Sequence, residues 1–137
     1  MKIDFALLAD YAEVVNGKLY LMGGGWDTTT AAQLPAAIRM AIAVGVRIGW
    51  NETDVQFPVL MTIEDDDGRE YVRIQGVVSA SRSPGATPGS TQLSQVAANV
   101  PLQLPALGGY RVHVAVGEGD QAEERNLPFR VQGPPPA

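Results

Sequence analysis

The sequence predicts an all-β protein, an antiparallel, immunoglobulin-like β-sandwich of about eight or nine strands. Apolar residues alternate with period two along much of the chain, whereas helical spacing hardly occurs. The turn pairs Asn16-Gly17 and Asp67-Gly68 each stand between two strand-like runs, which is the strongest short-range hairpin signal. The 15 Gly and 10 Pro, with only 18% charged residues, favour short strands joined by many turns.

The first predicted element is a hairpin in "AEVVNGKLYLM". A two-residue turn at Asn16-Gly17 sets its register, because loop length fixes the pairing of a hairpin. The predicted cross-strand pairs are Val14 with Leu19 and Ala12 with Leu21 on one face, and Glu13 with Tyr20 on the other.

A long strand is predicted over residues 38–50, "IRMAIAVGVRIGW". One face is apolar throughout and is expected to point into the core. The other face is made of small residues between two arginines, and its members are Arg39, Ala41, Ala43, Gly45 and Arg47. Small side chains permit close approach of another backbone, another strand layer or another subunit. We therefore interpret this face as a possible interaction surface.

A second hairpin is predicted in "FPVLMTIEDDDGREYVRIQGVVSAS", with its turn at Asp67-Gly68. The predicted pairs are Ile63 with Val72, Met61 with Ile74, Thr62 with Arg73, and Glu64 with Tyr71. Residues 81–91, "SRSPGATPGST", have no periodicity and are predicted to form a mobile loop.

The last predicted strands lie in "QLSQVAANVPLQLPALG", "GYRVHVAV" and "NLPFRV". Tyr110 begins a strand two residues after a glycine and a few residues after a leucine, as in the tyrosine corner of immunoglobulin-like sandwiches. Pro128 on an outward face indicates an edge strand. We expect a single domain over residues 1–132 and a disordered, Pro-rich tail over 133–137.

The chain as a whole resembles an uncharacterised family of small bacterial, largely actinobacterial, β-sandwich proteins. The segments that carry the resemblance are "DFALLADYAEVVNGKLYLMGGGWD", "EDDDGRE", "VPLQLPALGGYRV" and "LPFRV". The resemblance covers nearly the full length, and it implies no activity and no catalytic residues, because the family has none assigned.

Composition argues against several classes of partner. The net charge is −5 and the basic residues are scattered singly, so neither nucleic acid nor an anionic membrane surface is an expected partner. The sequence has no cysteine, which excludes disulfides and thiolate chemistry. The apolar N-terminus is interrupted by Asp4 and Asp10, unlike a signal peptide. A cytoplasmic location is expected.

The segment "MGGGWD" raises the question of a phosphate-binding loop. Such a loop leads into a helix and usually carries Lys-Ser/Thr, but a run of threonines follows here. We interpret Gly23 to Gly25 as a sharp corner between strands. Trp26 is then expected to cap the core, with exposure to a protein partner as the alternative.

The acidic loops at 51–56 and 117–125 are candidates for a divalent-metal site. One end of an immunoglobulin-like sandwich would bring together Glu52, Asp54, Glu118 and Asp120. The favoured interpretation is that these loops are acidic only because they are exposed to solvent. The sequence has one histidine, His113, and no nucleophile motif beside it. We therefore expect no enzyme activity and no cofactor.

The function that best fits the sequence is a non-enzymatic protein-interaction or structural module, with a protein partner or a homo-oligomer. The alternative is a small-ligand or divalent-metal-binding sandwich that uses the acidic end loops. The residues predicted for interaction are Trp26, Arg39, Ala41, Ala43, Gly45 and Arg47.

Overall fold

The computed structural model describes residues 1–136. Nine strands follow one another along the chain: β1 (Lys2–Val15), β2 (Lys18–Gly24), β3 (Thr28–Thr30), β4 (Ala36–Ile48), β5 (Phe57–Asp65), β6 (Glu70–Val78), β7 (Gln92–Leu104), β8 (Gly108–Val116) and β9 (Glu123–Gln132). Two short 3-10 turns lie at Trp50–Glu52 and Gly119–Gln121. The all-β prediction is confirmed.

The strands form two packed sheets. The first sheet has the order β2-β1-β4-β7 and the second has the order β3-β9-β8-β5-β6. Every pairing is antiparallel except that of β3, which runs parallel to β9. The antiparallel prediction missed this pair because residues 28–30 lie in a crossover from one sheet to the other. The sandwich is confirmed, and its immunoglobulin-like connectivity stays a prediction.

The core lies between the two sheets and follows the period-two pattern. The inward residues of β4, such as Ile42 and Val44, are fully buried, as are Ile63, Val112 and Val114 of the second sheet. Burial of these aliphatic side chains supplies the main stabilisation, about 1.5–3 kcal/mol for each. The predicted strand over residues 38–50 ends at Ile48, since Trp50 begins a 3-10 turn.

Both predicted hairpins are present, and one of them contains an irregularity. The pairs predicted around Asn16-Gly17 all occur. In the second hairpin Glu64 pairs with Glu70, not with Tyr71 as predicted. The cause is the turn, which lies at Asp66 and Asp67 with Gly68 in the left-handed region at φ 86°. This longer connection shifts the register after Ile63.

The tyrosine corner predicted at Tyr110 is confirmed. The hydroxyl group donates a hydrogen bond of 2.6 Å to the carbonyl oxygen of Ala106, and the ring stacks on Phe129 with 5.6 Å between centroids. The side chain is only 3% exposed, so this bond anchors the loop before β8 to the core.

The C-terminal boundary falls where β9 ends. Gln132 is its last residue, and residues 133–136 have no regular secondary structure. Ala137 lies outside the described residues, and the disordered tail stays a prediction. Pro128 is exposed on β9 and precedes the three β9 residues, Arg130 to Gln132, that pair with β3. Among residues 1–136, no helix has the length and apolar character needed to cross a membrane.

Candidate interaction surface

The hairpin of β1 and β2 leaves the plane of the first sheet and crosses its outer face. β1 pairs with β4 only as far as Ala9. Beyond that point Asn99 of β7 binds the backbone of Ala12. Its amide nitrogen donates to the carbonyl of Ala12 at 2.7 Å, and its side-chain oxygen accepts the Ala12 N–H at 3.2 Å. Near the tip, Gln95 donates to the Gly17 carbonyl at 2.9 Å.

This hairpin covers the small-residue face on which an interface was expected. Ala41 and Ala43 are 0% exposed and form a buried cluster with Ala9 and Ala12, against which Leu19, Leu21 and Ala97 pack. Gly45 is buried as well, and a Cβ there would overlap the ring of Phe5. Ala41, Ala43 and Gly45 therefore do not form an exposed interaction surface, because the hairpin lies on the two alanines and the Phe5 ring covers Gly45.

The two arginines of that face are placed differently. Arg47 forms an ion pair of 2.9 Å with Asp4, and both side chains are 38% exposed. Arg39 is exposed and lines a groove of about 670 Å³ beside the hairpin, together with Asp10 and Tyr11. Arg39 is thus the predicted residue that remains available at the hairpin.

The hairpin has an inner face and a solvent face, as the alternation of its strands requires. Ala12, Leu19 and Leu21 lie on the inner face. We call the opposite side the hairpin face. Its residues are Tyr11, Glu13 and Val15 on β1, opposite Met22, Tyr20 and Lys18 on β2.

The hairpin face exposes large apolar side chains. The exposed fractions are 69% for Met22, 52% for Tyr20 and 42% for both Tyr11 and Val15. Tyr11 is oriented by Glu13, to which its hydroxyl donates at 3.1 Å. That hydrogen bond, with the negative charge of Glu13, raises the pKa of Tyr11.

The sequence already contains a signal for the hairpin face. The predicted register already placed Tyr20 opposite Glu13, on the side away from Leu19 and Leu21. A solvent-facing Tyr20 and Met22 on a two-stranded element is the signal that points to a contact surface. The small residues of β4 predicted a contact at the layer beneath, whereas the exposed apolar side chains lie on the opposite side of the hairpin.

The glycine corner has the structure that was predicted. Gly23 and Gly25 take left-handed φ values of 62° and 82°, and the Gly25 N–H donates to the Leu8 carbonyl at 2.8 Å. The chain then enters β3, not a helix. The corner therefore turns the chain from the first sheet into the second.

Trp26 caps the core at this corner. Its ring packs edge-to-face on Phe129 with 6.3 Å between centroids, and it lies against the main core cluster. Its indole nitrogen is buried and has no hydrogen-bond partner among the described residues. The core-capping interpretation fits this placement.

The acidic loops lie partly together at one end of the sandwich. Glu52 and Glu118 line one cleft of about 320 Å³. The Glu52 carboxylate accepts hydrogen bonds from the Met1 amino group and from the Gly49 N–H. Those contacts, the amino group first, lower the pKa of Glu52.

The other two predicted acidic residues do not join that cleft. Asp54 accepts a hydrogen bond of 2.6 Å from the Ser81 hydroxyl, and Asp120 is exposed in a 3-10 turn. In the part of the chain that the structure describes, no group of three or more Asp, Glu or His could hold a metal ion. The four acidic residues therefore do not converge on one site.

The outer face of the second sheet carries a polar network. Glu64 and Arg111 form an ion pair of 2.5 Å. His113 lies 2.9 Å from the amide oxygen of Asn126 and 3.7 Å from Glu124. These contacts link β5, β8 and β9 across the face.

Comparison with known proteins identifies a family. The model of a "Family of unknown function (DUF6941)" matches residues 4–132. Because this match covers nearly the whole chain, the protein belongs to that family. No curated protein matches the sequence. The family of unknown function expected from the sequence is confirmed, and its actinobacterial source stays a prediction.

Proposed function

We propose that this member of the family is a non-enzymatic protein-interaction module of the cytoplasm, and that the hairpin face is its contact surface. The observation that carries the proposal is the exposure of Tyr11, Tyr20 and Met22 side by side on one two-stranded element. Tyrosine and methionine are enriched at protein interfaces, and contiguous apolar surface on a soluble domain marks contact sites.

The position of the hairpin supports this role. Its inner face is packed on Ala41 and Ala43, and Asn99 binds its backbone. The hairpin face is therefore held in place before any partner arrives. Binding to a preorganised surface loses little conformational entropy, which favours affinity.

The charged residues around the hairpin face indicate which kind of partner would fit it. Glu13 and Lys18 lie on the face itself, and Asp10 and Arg39 line the adjoining groove. An interface of this kind has an apolar centre and a polar rim. The partner that fits is a protein with a small apolar patch and charged groups of both signs around it.

The test removes the apolar side chains of the hairpin face while keeping the fold. The double variant Tyr20→Ser/Met22→Ser is compared with wild type and with Val77→Ser, a control at another exposed apolar residue, which is 58% exposed. Immobilised proteins are incubated with an extract of the source cells, and the retained proteins are identified by mass spectrometry. The affinity of each retained protein is then measured in purified form.

We expect a protein that wild type and Val77→Ser bind equally and that the double variant binds at least about tenfold more weakly, as expected for the loss of interface hot spots. Circular dichroism establishes that all three proteins are folded. Equal binding by the folded double variant would overturn the proposal.

A further inference from the structure

The four edge strands of the sandwich differ in length and charge. β3 has three residues and β2 has seven, and β6 carries Glu70 and Arg73. β7 has 13 residues and contains no charged side chain. Proteins usually protect a long edge strand with charges, because unpaired backbone groups invite another strand. β7 has only Pro101 as protection, close to its end.

β7 is the last strand of its sheet and has no strand paired on its outer side. Val96 and Ala98 point inward, opposite Val44 and Ile42 of β4. The two β4 residues are fully buried, whereas Val96 and Ala98 remain partly exposed. A slot of about 170 Å³ between β6 and β7 is lined by these two residues and by Ile74. A further strand beside β7 would cover this apolar surface.

Pro101 shows which backbone groups face the open edge. It lies opposite Arg39 inside the β4–β7 ladder and has no N–H to donate, so its nitrogen belongs on the side away from β4. In an antiparallel ladder both backbone groups of a residue point to the same side, and the side alternates. Leu93, Gln95, Ala97 and Asn99 therefore direct their N–H and C=O groups to the open edge.

We propose that two copies of the chain pair through β7, antiparallel about a two-fold axis at Ala97, into one continuous eight-stranded sheet. In this register Ala97 meets its own equivalent and Gln95 lies opposite the partner's Asn99. On the inward side Val96 lies opposite the partner's Ala98. In these three central pairs polar residues thus meet polar residues, and apolar residues meet apolar ones.

The absence of charge on β7 favours a second copy as the occupant. In an isologous interface the same surface patch of both subunits is in contact, so a charged side chain near the two-fold axis would lie close to its own equivalent. Like charges that lie opposite each other are destabilising. β7 has no such charge along its 13 residues. The register also places only the edge-directed residues in hydrogen-bonded pairs, as antiparallel pairing requires.

A pair of variants at Gln95 tests the role of the edge. Gln95→Pro removes the edge-directed N–H, and it also removes the side-chain bond to Gly17. Gln95→Ala removes only the side-chain bond and is the matched control. Light scattering behind a sizing column should give twice the chain mass of 14.5 kDa for wild type and for Gln95→Ala. Gln95→Pro, folded by circular dichroism, should dissociate at least about tenfold more readily.

A second measurement holds even if the proline variant fails to fold. The chain has no native cysteine, so a single spin label can be attached at Leu93→Cys or, in another variant, at Gln103→Cys. In the proposed register residue 93 lies opposite residue 101 of the other copy, eight positions along the strand. At about 3.3 Å per residue, the label separations are roughly 26 Å for residue 93 and roughly 40 Å for residue 103.

The outcomes separate the possible occupants of the edge. Separations near these values, the shorter one at residue 93, would establish the β7 pairing. A wild-type monomer at millimolar concentration would overturn it and leave the edge to a strand of another protein. A dimer with a different order of separations, or a folded Gln95→Pro dimer of unchanged affinity, would also overturn it.

Discussion

The outer faces of the two sheets differ in what lies on them. In the first sheet the outward residues in the middle of β4 are alanine and glycine. The chain's own hairpin packs on Ala41 and Ala43, and the Phe5 ring covers Gly45. In the second sheet the outward residues include Glu64, Arg111 and His113; Glu64 pairs with Arg111, and His113 contacts Asn126 at the surface. Side-chain size therefore separates a strand face that accepts a third layer from one that meets solvent.

The comparison also relates the sandwich to its proposed function. A layer packed on alanines lies close to the sheet and is held by backbone contacts, such as those of Asn99 with Ala12. That layer then presents Tyr20 and Met22 outward. The polar network of the second sheet instead pairs its own charged groups. The outer face of the first sheet, which the hairpin covers, is thus also the face that supports the exposed apolar side chains of the hairpin.

The largest difference between the two faces is expected for a lysine placed on each. Ala43→Lys buries an unpaired charge under the hairpin and should reduce the free energy of unfolding by about 3 kcal/mol or more. Ala115→Lys, on the outer face of β8 opposite Glu124, should stay within about 0.5 kcal/mol of wild type. Urea unfolding measures both. Equal stability of the two variants would contradict a closed first face.

Asparagine side chains give the next comparison. Asn99→Ala leaves the N–H and C=O of Ala12 without their side-chain partner. We expect the free energy of unfolding to fall by about 1–3 kcal/mol. Asn126→Ala, at an exposed position beside His113, should lose about 0.5 kcal/mol or less. Thermal unfolding measures the two losses. Hydrogen exchange adds a local check, since the Ala12 amide should exchange faster only in Asn99→Ala.

A smaller effect is expected for the ion pairs of the two faces. Double-mutant cycles to alanine should give coupling energies below about 1 kcal/mol for both pairs, as for other surface pairs. The coupling of Glu64 with Arg111 should exceed that of Asp4 with Arg47, because Glu64 is 20% exposed and Asp4 is 38% exposed. Both couplings should fall in about 1 M salt. A larger coupling for Asp4 with Arg47 would contradict this order.

The sequence predicted the strands well, but it did not predict the third layer. Alternation and the Asn16-Gly17 turn fix local pairing, so the first hairpin was predicted with its register. The small residues of β4 predicted close approach of another layer but not which one. That choice depends on contacts between distant residues, such as Asn99 with Ala12. No local pattern encodes the bend of β1 beyond Ala9, which is what brings the hairpin over β4.

The turns of the two hairpins should differ in their response to acid. Asp65 accepts hydrogen bonds from the N–H groups of Arg69 and Asp67 and from the Tyr71 hydroxyl. These bonds, the one from Arg69 first, lower the pKa of Asp65 below its ordinary value of 3.8. Since the folded pKa is the lower one, the stabilisation is present above 3.8 and is lost as the pH falls through the folded pKa. The turn at Asn16-Gly17 has no ionisable group.

The stability difference between wild type and Asp65→Asn should therefore shrink as the pH falls from about 6 to about 2. Asn16→Ala is the matched control at the other turn. Asn16 holds a left-handed φ of 51°, which alanine adopts less readily. Because this effect involves no ionisable group, the loss in free energy of unfolding for Asn16→Ala should not vary with pH. Urea unfolding over this range measures both differences. A constant difference for Asp65→Asn would show that its carboxylate gains no stability from the three donors, and the acid response of the two hairpins would then be the same.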